Sequence, residues 1–259
     1  APVTWLPIAQ GLARDGLRVI APALRGFGGT RFLSKDTPRS GQLASLGRDM
    51  VDMVHALKLH QPILVGHDWG ARSVANAVGL EPGIASHLVM ISVGYGTNSP
   101  GQKMSYEQAR RYWYHWFMAT ARGEKAVRED GKGFAKMMWD TWSPPGWFTE
   151  AEFNETARAF ENPDWADIVL HSYRHRWGHA PSFPEYAADE ARLDPAPVLS
   201  TPTLVLHGQD DLCNNPELSA GKEHYFSGPY QRVLIAGAGH FPQREKAAEV
   251  LQEIRAFCL

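Results

Sequence analysis

The chain has 259 residues, a formal net charge of −2, 44% hydrophobic residues and 21% charged residues. This length can bury a sizeable core, either as one large domain or as a domain with an insertion. The two signs of charge are scattered, which argues against nucleic acid or an anionic membrane as the main partner.

No apolar run is long enough to span a bilayer, and the first residues show no charged-then-apolar leader pattern. Cys213 and Cys258 lack the spacing of metal ligands. One disulfide between them is possible in principle, but we expect two free thiols in a reducing cytoplasm.

Helical and strand patterns alternate through the first hundred residues. The predicted helices cover residues 4–15, 41–58 and 69–78. The predicted strands cover residues 17–22, 61–65 and 87–92. Strands that alternate with helices indicate βα units and a parallel sheet, so the predicted fold class is α/β.

The pattern changes between residues 98 and 197, where strand runs are missing and Trp, Tyr, Arg and His are frequent. Helical stretches are predicted there near residues 105–122, 124–140, 149–160 and 164–176. Strands resume at 202–207 and 231–236, and a last helix covers 244–257. We therefore predict a core in two segments, 1–97 and 198–259, with a helical cap at 98–197.

The segment Val65-Gly66-His67-Asp68-Trp69-Gly70 joins a predicted strand to a predicted helix. A Gly-x-nucleophile-x-Gly sequence at such a junction predicts a nucleophile elbow, in which the glycines permit a tight turn. An aspartate at the tip would form an alkyl ester, so it would attack saturated carbon, as in an epoxide or a haloalkane. The helix N-terminus favours its ionised form. Alternatively, Asp68 only caps the helix.

Two further polar positions follow the last two predicted strands. His240 lies between a Gly-x-Gly turn and the terminal helix, and it is the candidate general base. Asp210 and Asp211 follow the penultimate strand, and a base histidine needs such an acid to fix its tautomer. Alternatively, the aspartates only make a hydrophilic turn. The order nucleophile, acid, histidine is typical of α/β-hydrolases.

These motifs resemble the α/β-hydrolase fold and, within it, the branch of epoxide hydrolases and haloalkane dehalogenases that uses an aspartate nucleophile. The resemblance covers nearly the whole chain and places the acid on Asp211. It implies hydrolysis without a metal or an organic cofactor. The matching segments are Gly66-His67-Asp68-Trp69-Gly70, Gly208-Gln209-Asp210-Asp211, Gly239-His240-Phe241 and Arg25-Gly26-Phe27-Gly28.

The resemblance also implies two cap tyrosines that hydrogen-bond the epoxide oxygen. Tyr114 and Tyr173 stand at the matching positions, but His115 replaces the usual Gln, so Tyr112 is a rival for the first. An opening epoxide develops alkoxide charge, and O–H donors stabilise that charge. Alternatively, both tyrosines only pack the cap on the core.

Trp69 follows the nucleophile, so its backbone N–H is predicted to supply one oxyanion-hole donor. In haloalkane dehalogenases the indole at this position binds the halide, but epoxide hydrolases often carry Trp there too. The family takes its second donor from a His-Gly-x-Pro motif ahead of the first helix. The sequence has His-Gly only at His207-Gly208, so we expect the first strands and this motif to be missing from it.

Aromatic residues in the cap suggest an apolar, aryl-substituted substrate. Trp113 and Trp116, together with His67, are the candidate substrate-binding residues. The predicted function is the opening of a small apolar epoxide to a vicinal diol, by a monomer or a homodimer. The alternatives are a haloalkane or haloacid dehalogenase with the same triad, and a non-catalytic binding protein of the same fold.

Overall fold

The computed structural model describes residues 1–97 and 103–259, in which four parallel strands form one sheet in the order β1-β2-β3-β4. The strands are β1 (Ile63–His67), β2 (His87–Ile91), β3 (Thr203–Gly208) and β4 (Tyr230–Ile235). They confirm four of the five predicted strands, with bounds shifted by one or two residues. Because all four are parallel, their carboxyl ends lie at one edge of the sheet, where α/β proteins place their sites.

Alternate residues of the central strands pack on opposite faces of the sheet. Leu88 and Met90 of β2 pack in one apolar cluster, while Val89 and Ile91 pack in another on the opposite side. This follows from the two-residue period of a strand. A parallel sheet buried on both faces requires near-continuous apolar strands, and every residue of β3 is buried.

The described residues contain twelve α-helices. Helices α2 and α3 lie on one face of the sheet, and α1 and α12 lie on the other. Their bounds are α1 (Leu6–Arg14), α2 (Leu43–Ala56), α3 (Trp69–Leu80), α4 (Tyr106–Arg111), α5 (Trp113–Ala119), α6 (Ala121–Glu129), α7 (Gly131–Thr141), α8 (Glu150–Ala157), α9 (Trp165–Arg176), α10 (Ala187–Leu193), α11 (Pro242–Glu245) and α12 (Ala247–Cys258).

Two predicted cap helices are divided in the structure. The prediction at 105–122 becomes α4, α5 and the start of α6, and the prediction at 124–140 becomes most of α6 and α7. The breaks have local causes. The Thr120 Oγ1 accepts from the Gly123 N–H at 3.0 Å, and the Asp130 Oδ1 accepts from the Gly133 N–H at 2.7 Å. Each side chain caps the N-terminus of a new helix.

The strand predicted at 17–22 is wrong. The segment is extended, but it pairs with no strand of the described residues, and Val19 and Ile20 are partly exposed. A strand exists only through backbone hydrogen bonds to a neighbour. Here a cavity separates the segment from β1, which is an outer strand of the sheet.

The cap lies over the carboxyl edge of the sheet and is tied to the core by ion pairs. Arg39 pairs with Asp164 beside α9 at 2.9 Å, and Arg48 of α2 pairs with Asp189 of α10 at 2.6 Å. Helix α10 packs directly on α2 and α3. The domain bounds stay a prediction, and the cap start at residue 98 lies outside the described residues.

No helix in the described ranges is long and apolar enough to cross a membrane. Cys213 is buried and Cys258 is partly buried, and neither is in a disulfide, as the sequence predicts.

Gly41 lets α9 approach the core closely. A Cβ atom at this position would lie 2.2 Å from the Ile168 carbonyl oxygen and 2.7 Å from the Ser172 Cβ. Gly41→Ala should therefore lower the free energy of unfolding by roughly 1–3 kcal/mol, measured by urea denaturation. Gly29→Ala is the matched control, because nothing lies within 4 Å of its added Cβ. Equal stability of the two variants would contradict this account of the cap contact.

Candidate active site

The turn between β1 and α3 places Asp68 at the tip of a strained elbow. Asp68 has φ +48°, which an L side chain rarely adopts. A Cβ on Gly66 would lie 2.2 Å from the Gly70 carbonyl oxygen, so this position requires glycine. The Asp68 carboxylate makes no capping hydrogen bond to α3, and it lines a cavity below the cap. Asp68 therefore does not cap α3 through its side chain, and its carboxylate faces the cavity.

The loop after β3 buries Asp211 and brings it to His240. The Asp211 Oδ2 lies 2.9 Å from the His240 Nδ1, and the Oδ1 accepts the backbone N–H groups of Cys213 and Asn214 at 2.7 and 2.8 Å. Asp210, by contrast, is exposed. Of the two candidates that the residue pattern leaves open, only Asp211, which the resemblance favours, contacts the histidine.

The two buried partners shift each other's pKa in opposite directions. Burial raises the pKa of Asp211, but His240 and His207 lower it by more, so the net shift is downward. Burial lowers the pKa of His240, while Asp211 and then Asp68 raise it, and the net shift is upward. The His240 Nε2 has no hydrogen-bond partner among the described residues.

The carbonyl oxygen of His240 is held by two side chains from the sheet edge. It lies 2.7 Å from the His67 Nε2, and it accepts the Ser92 hydroxyl at 2.9 Å. Burial, and then the nearby His240, lower the pKa of His67 to about 4, so this imidazole is neutral and its Nε2–H donates. His67 also lines the cavity. Its predicted substrate-binding role stays a prediction, beside this structural role.

Glu245 of α11 anchors the loop that carries the base, and the sequence did not single it out. Its carboxylate accepts the N–H groups of Gly239 and Phe241 at 2.6 and 2.8 Å and the Ser143 hydroxyl at 2.7 Å. The Ser143 Oγ in turn accepts the His240 N–H at 2.8 Å. The only sequence signal is an acidic residue in the first turn of a helix that follows the base.

His207 is a second residue that the sequence did not single out. Its Nε2 lies 3.2 Å from the Asp211 Oδ2, and its Nδ1 lies 3.0 Å from the Ser219 Oγ. The side chain is fully buried at the end of β3. His207 therefore helps to orient the Asp211 carboxylate, because His207 and His240 contact the same oxygen, Oδ2.

Tyr114 of α5 and Tyr173 of α9 meet at the cavity opposite Asp68, with ring centroids 5.4 Å apart. The Trp69 indole N–H donates to the Tyr173 hydroxyl oxygen at 3.1 Å, which leaves the Tyr173 O–H proton available to a substrate. Burial, as the largest cause, raises the pKa values of both phenols, so both stay protonated. The rival Tyr112 does not line the cavity and donates to the Asn214 Oδ1 at 2.6 Å.

A cavity of about 650 Å³ lies between the elbow and the cap, and it continues along β1 to the segment 17–24. Its wall includes the aromatic side chains of Phe134, Trp139, Trp142, Phe160, Trp165 and Phe241.

Two predicted substrate-binding residues lie off this wall, which corrects the prediction. Trp113 packs on Phe117 and Phe134, and Trp116 packs on Trp177. The cause is the helix break at Tyr112, which resets the direction of the following side chains.

Trp69 is the first residue of α3, and its backbone N–H has no backbone acceptor in the described part of the chain. Its role as an oxyanion-hole donor stays a prediction. No group of three or more His, Cys, Asp or Glu side chains with the geometry of a metal site occurs in residues 1–97 or 103–259.

The alpha/beta hydrolase fold family model matches residues 3–247 of the chain. Epoxide hydrolase A of Mycobacterium tuberculosis is 24% identical over 289 residues, which cover 98% of this chain and 85% of the relative. An epoxide hydrolase of Caballeronia sordidicola is 25% identical over 279 residues, with 98% and 83% covered.

A solved structure is similar over the same length. It is the crystal structure of a candidate epoxide hydrolase from Klebsiella pneumoniae, with 34% sequence identity and a TM-score of 0.92. The match covers 98% of this chain and 85% of that one. These similarities favour an enzyme over the non-catalytic alternative. The chain belongs to the alpha/beta hydrolase fold family, and it is an epoxide hydrolase-like enzyme of that family.

Proposed function

We propose that this enzyme opens an epoxide to a vicinal diol through an alkyl ester of Asp68. The observation that carries the proposal is a cavity lined by the strained Asp68 and the two cap tyrosines, with the buried Asp211–His240 pair packed against the lining residues His67 and Trp142. The similar proteins named as epoxide hydrolases support the same reaction.

In the first step the Asp68 carboxylate attacks one carbon of the epoxide. The C–O bond breaks, and its electron pair goes to the oxygen. Tyr114 and Tyr173 face this oxygen with protonated hydroxyls and stabilise the developing alkoxide. Because the Trp69 indole already fills a lone pair of the Tyr173 oxygen, the Tyr173 proton is directed elsewhere.

In the second step His240 removes a proton from water, and the hydroxide attacks the carbonyl carbon of the ester. Asp211 holds the His240 Nδ1–H and stabilises the imidazolium that forms. The Trp69 backbone N–H stabilises the oxyanion of the tetrahedral intermediate. Collapse of this intermediate releases the diol and restores the carboxylate. Water and the epoxide supply every atom of the product.

The cavity indicates the chemical class of the substrate. Its wall is largely apolar and aromatic, with Trp139 and Trp142 on the cap side and Phe241 beside the base. Such a wall favours a small, apolar, aryl-substituted epoxide.

The nucleophile is tested by trapping the ester. In His240→Gln the ester should accumulate, and the intact protein mass should rise by one molecule of styrene oxide, located by peptide mass spectrometry at Asp68. Asp68→Ala should lower diol formation by on the order of 10⁴ or more. The double variant Asp68→Ala/His240→Gln is the control and should gain no mass. Unchanged turnover by Asp68→Ala would contradict the assignment.

The pH dependence tests the acid and the base. His240 acts as a base only when neutral, so ester hydrolysis should fall as the pH drops through the pKa of His240, which burial lowers and Asp211 raises. Asp211→Asn removes the carboxylate that raises the His240 pKa, so the pH midpoint of ester hydrolysis should move down. The plateau rate of hydrolysis at high pH should fall by as much as about 10⁴. The measurement is single-turnover decay of the ester against pH. Asp210→Asn, at an exposed position, should change neither quantity. A midpoint that does not move in Asp211→Asn rules out this role for the acid.

The cap tyrosines separate epoxide opening from dehalogenation. A halide leaves without a proton, so Tyr114→Phe/Tyr173→Phe should slow ester formation from styrene oxide by roughly 10²–10⁴ but spare any halide release from a chloroalkane. Tyr112→Phe tests the rival position, and it should slow ester formation less than Tyr114→Phe does. Full activity of the double variant on epoxides would remove the tyrosines from the mechanism.

A further inference from the structure

Arg176, the last residue of α9, is a buried cation next to the reacting groups. Its side chain is only 8% exposed, and its Nε has no hydrogen-bond partner among the described residues. Its one side-chain hydrogen bond there is a long one of 3.4 Å to the Ser172 Oγ. Arg174, two residues earlier, instead pairs with Glu124 at 2.8 Å and donates to the Met118 carbonyl oxygen.

Arg72 is a second buried cation. It is 7% exposed, stands one helical turn after Asp68, and donates to the Thr97 carbonyl oxygen at 3.2 Å. Burial and then Arg176 lower the pKa of Arg72. Neither arginine forms an ion pair with a carboxylate of residues 1–97 or 103–259. A buried charge without a counter-ion destabilises the fold unless other groups compensate it.

No ligand in the cavity would touch these arginines, because neither of them lines it. Arg176 instead contacts a residue that does. Its Cζ lies 5.0 Å from the centroid of the Tyr173 ring. A guanidinium at this distance interacts with the π-electrons of the ring, and more strongly where water is excluded. The positive charge of Arg176 therefore acts on a cavity-lining residue, Tyr173, rather than on a ligand directly.

The geometry points to Arg176 as a positioning residue that stabilises the negative charge on Tyr173 while the epoxide opens. This inference rests on the proposed function. As Asp68 bonds to carbon, the breaking C–O bond leaves its electron pair on oxygen, and the Tyr173 hydroxyl transfers its proton to that oxygen. The phenol recovers a proton when water hydrolyses the ester back to the Asp68 carboxylate, so the cycle balances.

The surroundings of Tyr173 show why a cation is useful there. Burial is the largest cause that raises the pKa of this phenol, and the Asp68 carboxylate raises it further. Both effects oppose proton transfer to the substrate. Arg176 and the Trp69 indole N–H act in the opposite direction on the pKa of the same phenol. Arg176 thus offsets the effect of the Asp68 charge on the pKa of Tyr173, which is the group that releases the proton.

The test separates ester formation from ester hydrolysis in single-turnover experiments with styrene oxide. Arg176→Met keeps a long side chain but removes the charge, and it should slow ester formation roughly 5- to 30-fold while ester hydrolysis changes less than about twofold. Arg174→Met is the matched control on the same helix, and it should leave ester formation within about twofold of the wild type.

A double-mutant cycle tests whether Arg176 acts through the Tyr173 hydroxyl. In the Tyr173→Phe background, Arg176→Met should slow ester formation by no more than about twofold, because no proton is left to assist. Equal effects with and without the hydroxyl, or equal slowing of both steps, would overturn the inference. If Arg176→Met does not fold, as judged by circular dichroism, Arg176→Gln, which also removes the charge, is measured by the same comparison of steps. A wild-type protein that forms neither ester nor diol from any epoxide would instead overturn the proposed function itself.

Discussion

The buried carboxylate of Asp211 is the interaction on which the rest of the site depends. A lone charge in this interior would be neutralised rather than buried. Four groups prevent this: two backbone N–H groups, His207 and His240. To supply the N–H groups, the chain after β3 must fold tightly around the carboxylate. The position of the base then follows, because its Nδ1 must face the same oxygens.

The loop around Asp211 also ties the cap to the core. Arg111, at the end of α4, donates to the Asp211 carbonyl oxygen at 2.6 Å, and the Gln108 amide donates to the Cys213 carbonyl oxygen at 2.8 Å. Asn214 accepts the Tyr112 hydroxyl and donates to the Ser92 carbonyl oxygen at 2.8 Å. The first cap helix, α4, and Tyr112 after it are thus held by the same short loop that holds the acid.

Local patterns in the sequence predict the triad but not its support. The elbow, the acid loop and the base loop each depend on glycines and short apolar strands within a few residues, so Asp68, His240 and the pair Asp210 and Asp211 can be found by inspection. The choice of Asp211 comes from the resemblance and from its contact with His240. His207, Glu245 and Arg176 gain their roles from contacts that only the folded chain brings together. The strand predicted at 17–22 fails for the same reason, because pairing depends on a distant neighbour. The directions of Trp113 and Trp116 depend on one helix break that the apolar pattern does not reveal.

The two cap tyrosines are each held by a core residue that lies close in sequence to a triad member. Tyr173 accepts the indole N–H of Trp69, which follows the nucleophile, and the Tyr114 hydroxyl lies 3.5 Å from the sulfur of Cys213, two residues after the acid. The contacts thus link Tyr114 and Tyr173, the proposed donors to the leaving oxygen, to the segments that carry Asp68 and Asp211. Opening of the cap would break both contacts together. In the proposed reaction, attack at carbon and stabilisation at oxygen must happen at the same time. Because the tyrosines are held beside the segments that carry Asp68 and Asp211, one closed arrangement of cap and core provides both.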